Sequence, residues 1–254
     1  MSGVYKIKYS LRGLRADGRR AQELRQIRVR MGVFGQADGS AYIEHGNTKV
    51  LAAVYGPHQV TKYTKTAKGI VNCQYSMAVF SLSSGERKRK PRGDRKSQER
   101  SIQLKHAMEA IIHLELYPRS QIDIFVEVLQ VDGSEYCASV NAATLALVDA
   151  GIPIKVVHSM KNIKTGILDA NYVEECSPGV TLSVVALPNN DNSSKDGLIV
   201  VAQGAGQRLH LSRLESLKSR ALCGCQDIKV ILDRAVRQHL TAHSSLSLGH
   251  ARLD

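Results

Sequence analysis

The stretch of sequence that decides the fold reads Ile122-Asp123-Ile124-Phe125-Val126-Glu127-Val128-Leu129-Gln130-Val131-Asp132-Gly133-Ser134-Glu135-Tyr136-Cys137-Ala138-Ser139-Val140. Its first part alternates apolar and polar residues with the period of a half-buried strand, and a helix-like run follows it. Backbone N–H groups at such a strand-to-helix turn commonly converge on an anion. The turn nevertheless carries a carboxylate, Glu135, and an aromatic ring, Tyr136, where an anion site favours arginine. Whether the protein is an enzyme therefore depends largely on this turn.

Strand patterns precede this stretch. Two apolar runs, 40–44 and 48–55, flank His45-Gly46-Asn47 and predict a hairpin, whose second strand we expect to end at Gly56-Pro57. Alternation over 71–80 predicts a further strand. Apolar residues at helical spacing after Ser97 predict a helix that closes before Pro118.

The chain after the turn again shows patterns of helices and strands. A short helix is expected from Asn141 through 142–150, ended by Gly151 and Pro153. Strands are predicted at 180–187 and 198–203, then a long helix with an apolar stripe that is more typical of core than of a partner surface, and a frayed tail from Ser244. The pattern indicates an α+β fold with two similar halves.

The composition of the chain narrows the kinds of partner and compartment that it fits. The 254 residues carry a formal charge of +12, which favours a polyanionic partner, with nucleic acid first and an acidic protein surface second. No apolar run reaches the roughly 20 residues that span a bilayer, so no membrane partner is predicted. The polar N-terminus lacks a secretory pattern, and five unevenly spaced cysteines indicate a reducing compartment.

Two basic segments could hold a nucleic-acid backbone. The segment 87–96, followed by Arg100, leads into the helix that begins near Ser97, where its cations could neutralise successive phosphates. The segment 62–68 places a tyrosine among lysines, which suits base stacking combined with phosphate contact. The alternatives are a nuclear localisation signal or a solvated loop.

Two carboxylates, Asp169 and Glu175, are candidates for a functional pair. If 170–175 curls back on itself, both face one site, where they could hold Mg²⁺ or supply a general acid. The alternative is that both are simply solvated. The sequence predicts neither a resident metal nor an organic cofactor.

Several ordered motifs carry a family resemblance over about Leu14 to Leu240. They are Asp17-Gly18-Arg19-Arg20, Ala37-Asp38-Gly39-Ser40-Ala41, Gly46-Asn47-Thr48-Lys49-Val50, Val128-Leu129-Gln130-Val131-Asp132-Gly133 and 141–153. These motifs resemble the RNase PH-like proteins, and among them the eukaryotic RNA exosome core subunit related to the catalytic subunit of the archaeal exosome. The resemblance implies an α+β fold of the ribosomal protein S5 domain 2-like type with two βαβ-type halves. One domain is expected at 14–243, divided into 14–153 and 154–243, with tails at 1–13 and 244–254.

The resemblance also implies a six-membered ring with RNA threaded through its pore. Active members use inorganic phosphate to cleave RNA from the 3′ end, and they read Asp-Gly-Gly-Thr-Arg-Thr where this chain reads Asp132-Gly133-Ser134-Glu135-Tyr136-Cys137. The phosphate-binding arginine falls on Tyr136, and the flanking threonines fall on Glu135 and Cys137. A neutral hydroxyl replaces a bidentate cation, and Glu135 would repel a phosphate. The phosphate site is thus expected to be degenerate across 134–137.

Other family positions are kept. Asp169 matches the first aspartate of the acidic pair, and Glu175 keeps the charge of the second. The resemblance places Arg95 and Lys96 at the family's RNA-contacting position before the helix, and Lys62 or Lys65 in its pore-facing loop. Arg92 and Arg100 are predicted to contact RNA because they belong to the basic segment that leads into this helix.

The prediction is therefore a non-catalytic exosome ring subunit that guides single-stranded RNA 3′ ends for processing and decay, including ribosomal RNA processing and mRNA turnover. Its implied partners are other RNase PH-like subunits, RNA-binding cap subunits and an attached ribonuclease, in the nucleus, nucleolus and cytoplasm. The alternatives are an active phosphate-dependent 3′-to-5′ exoribonuclease and a scaffold without RNA contact.

Overall fold

The computed structural model of the chain describes residues 14–60, 68–82, 87, 93–155, 158–163, 167–187, 197–208 and 210–250. Three residues that the sequence predicts to contact RNA lie outside these ranges: Lys62, Lys65 and Arg92. The expected N-terminal tail, 1–13, lies outside them as well.

The first half forms a five-stranded sheet. Its strands are β1 (Ile27–Met31), β2 (Gly39–His45), β3 (Thr48–Gln59), β4 (Ile70–Met77) and β5 (Ser120–Gln130), in the order β1-β2-β3-β5-β4. Helix α1 (Arg95–Ile111) connects β4 to the parallel strand β5, which makes a βαβ unit. The other neighbours in this sheet are antiparallel.

The predicted hairpin is confirmed, because β2 pairs with β3 across Gly46-Asn47 with His45 opposite Thr48. The expected end of β3 at Gly56-Pro57 is wrong. The strand continues to Gln59, and its register against β5 shifts between Tyr55 and His58. A proline is compatible with a strand at such a bulge, where its missing N–H breaks no ladder bond.

The second half forms a four-stranded sheet. Its strands are β6 (His158–Ile163), β7 (Ile167–Leu168), β8 (Val180–Leu187) and β9 (Leu198–Gly206), in the order β7-β6-β8-β9. Every described pair in it is antiparallel, so the βαβ arrangement predicted for both halves holds only for the first. The one-turn helix α3 (Tyr172–Glu175) lies between β7 and β8.

Helix α2 (Glu135–Asp149) lies between the two sheets, contacting β2, β3 and β5 on one side and β6 and β8 on the other. Its residues from Glu135 to Leu147 are all buried. The sequence predicts the start of this helix at Asn141, six residues too late. A helix that is buried on every side has no polar face, so its first turns lack the periodicity by which a surface helix is recognised.

The long C-terminal helix α4 (Leu211–His250) covers β6 and β8. The expected core role is confirmed for Leu217, Ala221, Ile228 and Leu232, which are buried, whereas Leu214 at the start of the stripe is exposed. The helix runs past Ser244, where the sequence predicts a frayed tail. Among the described residues, no helix is long and apolar enough to cross a membrane.

Candidate functional site

The turn between β5 and α2 is short and tightly held. Gly133 and Ser134 adopt positive φ angles of 80° and 54°, after which α2 begins at once. The Thr48 hydroxyl donates to the Gly133 carbonyl at 2.8 Å, and Arg25 Nη1 donates to the Asp132 carbonyl at 2.6 Å. The neighbouring hairpin and the segment before β1 therefore fix the position at which α2 starts.

Glu135 is buried in the first turn of α2, surrounded by cations. Its carboxylate lies 3.7 Å from Arg100 Nη2. Burial alone would raise the pKa of Glu135, but Lys161, Arg100, its own backbone N–H and Lys96 together lower that pKa below its ordinary value. The carboxylate is therefore ionised at neutral pH, and its charge is balanced by residues of α1 and β6.

Tyr136 and Cys137 supply no positive charge to this turn. Tyr136 is 3% exposed, its hydroxyl has no hydrogen-bond partner among the described residues, and the Arg100 guanidinium carbon stacks 5.0 Å from its ring centroid. Burial raises the pKa of the Tyr136 hydroxyl, and it raises the pKa of the Cys137 thiol to about 11. Both side chains are consequently neutral at physiological pH.

Asp169, the first member of the predicted acidic pair, is held inside the protein. Its carboxylate accepts from the Arg25 backbone N–H at 2.9 Å, Nε at 3.0 Å and Nη2 at 2.6 Å, and it lies 2.9 Å from His45 Nε2. Burial alone would raise the pKa of Asp169, but His45 and Arg25 hold that pKa well below its ordinary value. The side chain is a buried anchor that is ionised at neutral pH, and its carboxylate is not exposed.

Glu175, the second member, is also occupied. Its Oε1 accepts from the Ser134 backbone N–H at 2.7 Å and lies 2.5 Å from Lys161 Nζ. The segment 170–175 does curl back, since α3 brings Glu175 to the turn. The two carboxylates nevertheless contact separate cations, Arg25 for one and Lys161 for the other. Among the described residues, no three His, Cys, Asp or Glu side chains come together in a way that could hold a metal ion.

The described basic residues divide into outward and inward groups. Arg95 and Lys96, at the N-terminus of α1, are exposed, with Arg95 Nε 3.2 Å from Glu99 Oε1. Arg100 points inward instead, donating to Gln203 Oε1 at 2.8 Å with a side chain only 15% exposed. This internal position follows from the packing of α1 against β4 and β9, and the RNA contact expected of Arg100 stays a prediction.

Sequence reasoning missed three residues of the site: Arg25, His45 and Lys161. Arg25 and Asp169 are separated by 144 residues, and no spacing rule relates them. Lys161 lies in β6 without any motif around it. The sequence places His45 only in a hairpin turn, although its ring faces Asp169.

Comparison with known proteins gives consistent likenesses. A profile of the 3′ exoribonuclease family, domain 1 (RNase PH), matches residues 23–153. The exosome complex component RRP41 of Bos taurus is 49% identical over 241 residues, which cover 92% of this chain and 95% of that protein.

Solved structures agree with this. The crystal structure of rice (Oryza sativa) Rrp46 matches with a TM-score of 0.75 and 26% identity, covering 88% of this chain and 100% of that one. A chain of the Archaeoglobus fulgidus exosome with RNA bound to the active site matches with a TM-score of 0.70 and 20% identity, over 87% of this chain and 93% of that one. The latter likeness concerns the fold alone. Together they confirm the fold class expected from the sequence motifs.

Proposed function

We propose a role for this chain, which belongs to the 3′ exoribonuclease (RNase PH) family. It is a non-catalytic ring subunit of an RNA exosome and contributes to the channel for RNA 3′ ends. The relatives named exosome component support the assembly. The observation that carries the non-catalytic role is the turn itself. A neutral tyrosine occupies the position at which active relatives carry arginine, and both candidate carboxylates are engaged in internal ion pairs.

Phosphorolysis requires a bound phosphate and stabilisation of the charge that develops on the leaving oxygen. Loss of a single well-placed donor to such a charge typically costs about 10²–10³ in rate. Here Tyr136 offers no positive charge, and Glu135 adds a negative one beside the turn. The carboxylate of Asp169 is fully buried, so neither of its oxygens is available to bind a metal or to transfer a proton. These losses support a non-catalytic role for this turn.

The RNA-guiding part of the proposal rests on exposed charge. Arg95 and Lys96 stand at the N-terminus of α1, where the helix dipole adds partial positive charge. The chain as a whole carries +12, which favours a polyanion. The proposed assembly comprises other RNase PH-like subunits, RNA-binding cap subunits and an attached ribonuclease, in the nucleus, nucleolus and cytoplasm.

Absence of phosphorolysis is the first expected outcome. A reconstituted ring that contains this chain, without any attached hydrolytic nuclease, should release no nucleoside diphosphate from single-stranded RNA when inorganic phosphate is added. A phosphorolytic RNase PH enzyme assayed in parallel serves as the positive control. Phosphate-dependent release that disappears in the Glu175→Gln variant would show instead that this subunit is an active exoribonuclease.

RNA contact at the start of α1 gives the second expected outcome. The double variant Arg95→Glu, Lys96→Glu should lower crosslinking of the assembled ring to threaded RNA. It should also make the slope of log K for RNA binding against log[salt] less negative by about 1.4, because two phosphate contacts are lost. The matched control is Arg213→Glu, Lys218→Glu, the same change of charge at exposed residues of α4. Equal crosslinking in both double variants would favour a scaffold without RNA contact at this position.

A further inference from the structure

One histidine of the second sheet is buried without a hydrogen bond. His158, at the start of β6, is 0% exposed, and neither its Nδ1 nor its Nε2 has a hydrogen-bond partner among the described residues. A neutral imidazole carries one donor and one acceptor, and leaving both unpaired in the interior costs free energy. The ring is therefore a point of low stability within the packing around it.

This ring lies between the second sheet and the C-terminal helix. Side chains alternate across a strand, so His158 and Met160 share one face of β6. That face is the one covered by α4, since a Cβ added at Gly224 of α4 would meet Met160 Cγ and Cε at 3.2 Å. On the neighbouring strand β8, Ala186 lies opposite His158 and is buried as well. The imidazole is thus enclosed by the sheet on one side and by α4 on the other.

The surroundings of the ring oppose its protonation. Burial first, and then the positive charge of Lys229 on α4, lower the pKa of His158 from its ordinary value to about 4. The neighbours of the ring on the sheet, Met160 and Ala186, are apolar and supply no negative charge to offset this. Once α4 is lifted away, the ring meets water and regains the ordinary pKa of histidine, about 6.5. Between these two values a proton binds the open state more tightly than the closed one.

We propose that His158 is an acid-sensitive lock for α4, which keeps the helix on β6 and β8 while its ring is neutral and releases it when the ring takes up a proton. In the closed state an imidazolium would be a buried cation near a second cation, Lys229, without a carboxylate to balance it. Lifting α4 solvates the ring and separates the two charges. This inference goes beyond the role in a ring, because it concerns a motion of the folded chain and requires no RNA.

The direction of the pH dependence follows from the lowered pKa. The stability of the closed state is fully present above about pH 6.5 and is lost as the pH falls through the pKa of about 4 in the folded chain. For one group with these two pKa values, the equilibrium constant for opening should rise about twentyfold between pH 7 and pH 5. Asp169 does not contribute in this range, because its carboxylate stays ionised in both states above about pH 4.

Hydrogen exchange of the full chain at pH 7 and at pH 5 measures this opening. In the native chain, the protection factors of the α4 amides from Cys225 to Leu232 should fall about twentyfold at the lower pH, while those of β3 in the first sheet should not follow. In His158→Leu, whose side chain is of similar size and takes up no proton, the same α4 amides should keep their protection to within about twofold.

Two further variants locate the effect. His106→Leu makes the same change on a side chain of α1 that is 69% exposed, and its α4 amides should respond to pH as those of the native chain do. His158→Gln also takes up no proton at these pH values, and it provides the same comparison if His158→Leu does not fold. His239, which pairs with Asp149 further along α4, is present in every chain compared, so its own titration cancels.

Every outcome bears on the proposal. A fall in α4 protection that occurs in the native chain and is absent from the His158 variants supports it. Protection that stays constant in the native chain overturns it, and so do equal falls in the native chain and the variants, since another group then titrates. A fall that extends equally to β3 also overturns it, because protonation would then unfold the whole chain instead of releasing α4. Failure of both His158 variants to fold overturns it as well, since the ring would then be required for the closed structure itself.

Discussion

Replacing Asp169 with asparagine should lower the free energy of unfolding by about 3–5 kcal/mol, the usual cost of removing one partner from a buried ion pair. The carboxylate is fully buried and forms an ion pair with Arg25, and it also lies 2.9 Å from His45 Nε2. Asparagine retains the size of the side chain and tolerates the φ of 54° found at this position. The loss therefore reports the charge, which leaves Arg25 buried without a counterion.

The same pair predicts a pH dependence of defined sign. Because the pKa of Asp169 is held well below its ordinary value, its contribution to stability is fully present above the pKa of the unfolded chain, about 4. That contribution declines as the pH falls from about 4 towards the lower pKa of the folded state. Chemical denaturation of the native chain and the variant between pH 7 and pH 3 should show the difference between them shrinking as the pH falls.

Two comparisons isolate the interaction. Asp227→Asn makes the identical change at an exposed position of α4 and should alter stability by less than about 0.5 kcal/mol. Arg25→Met combined with Asp169→Asn should cost less than the sum of the single changes, because neither partner is then left charged and alone. Additive losses, or a pH-independent loss in Asp169→Asn, would contradict the buried pair as the source of stability.

The sequence predicted what local chemistry determines. Gly46-Asn47 between two alternating runs is a local signal for a hairpin, and the hairpin forms, with His45 opposite Thr48. The strand before the turn and the apolar stripe of α4 follow from periodicity in the same way. The hairpin, the strand and the helix stripe are determined by residues that are close together in the sequence.

What the sequence left open depends on contacts between distant residues. It identified Asp169 and Glu175 as acidic candidates, but the cations that hold them, Arg25 and Lys161, come from other elements. It treated Glu135 as a repulsive residue beside a phosphate, whereas the fold surrounds that carboxylate with positive charge. Charge type is readable from sequence, while the partner of a charge is decided by packing.

Replacing Gly133 with alanine should destabilise the protein by about 2–5 kcal/mol, through strain and overpacking acting together. Its φ of 80° is unfavourable for any residue with a Cβ. An added Cβ would lie 2.4 Å from the Ala170 carbonyl oxygen and 2.7 Å from the Asn171 carbonyl carbon. Both are backbone atoms, so the clash cannot be relieved by rotating a side chain.

Gly151→Ala provides the matched control, because Gly151 also has a positive φ, of 69°, but an added Cβ there meets nothing within 4 Å. It should cost only about 1–2 kcal/mol of unfolding free energy, from backbone strain.

Hydrogen exchange then shows where Gly133→Ala acts. The Ser134 N–H donates to Glu175, and the Tyr172 N–H donates to Asp132, so both amides join the turn to α3. These two amides should exchange faster in Gly133→Ala and remain protected in Gly151→Ala. An equal loss of stability in the two variants would show that the close approach of α3 does not constrain the turn. The same result would show that this approach does not fix Glu175 and Lys161 at the start of α2.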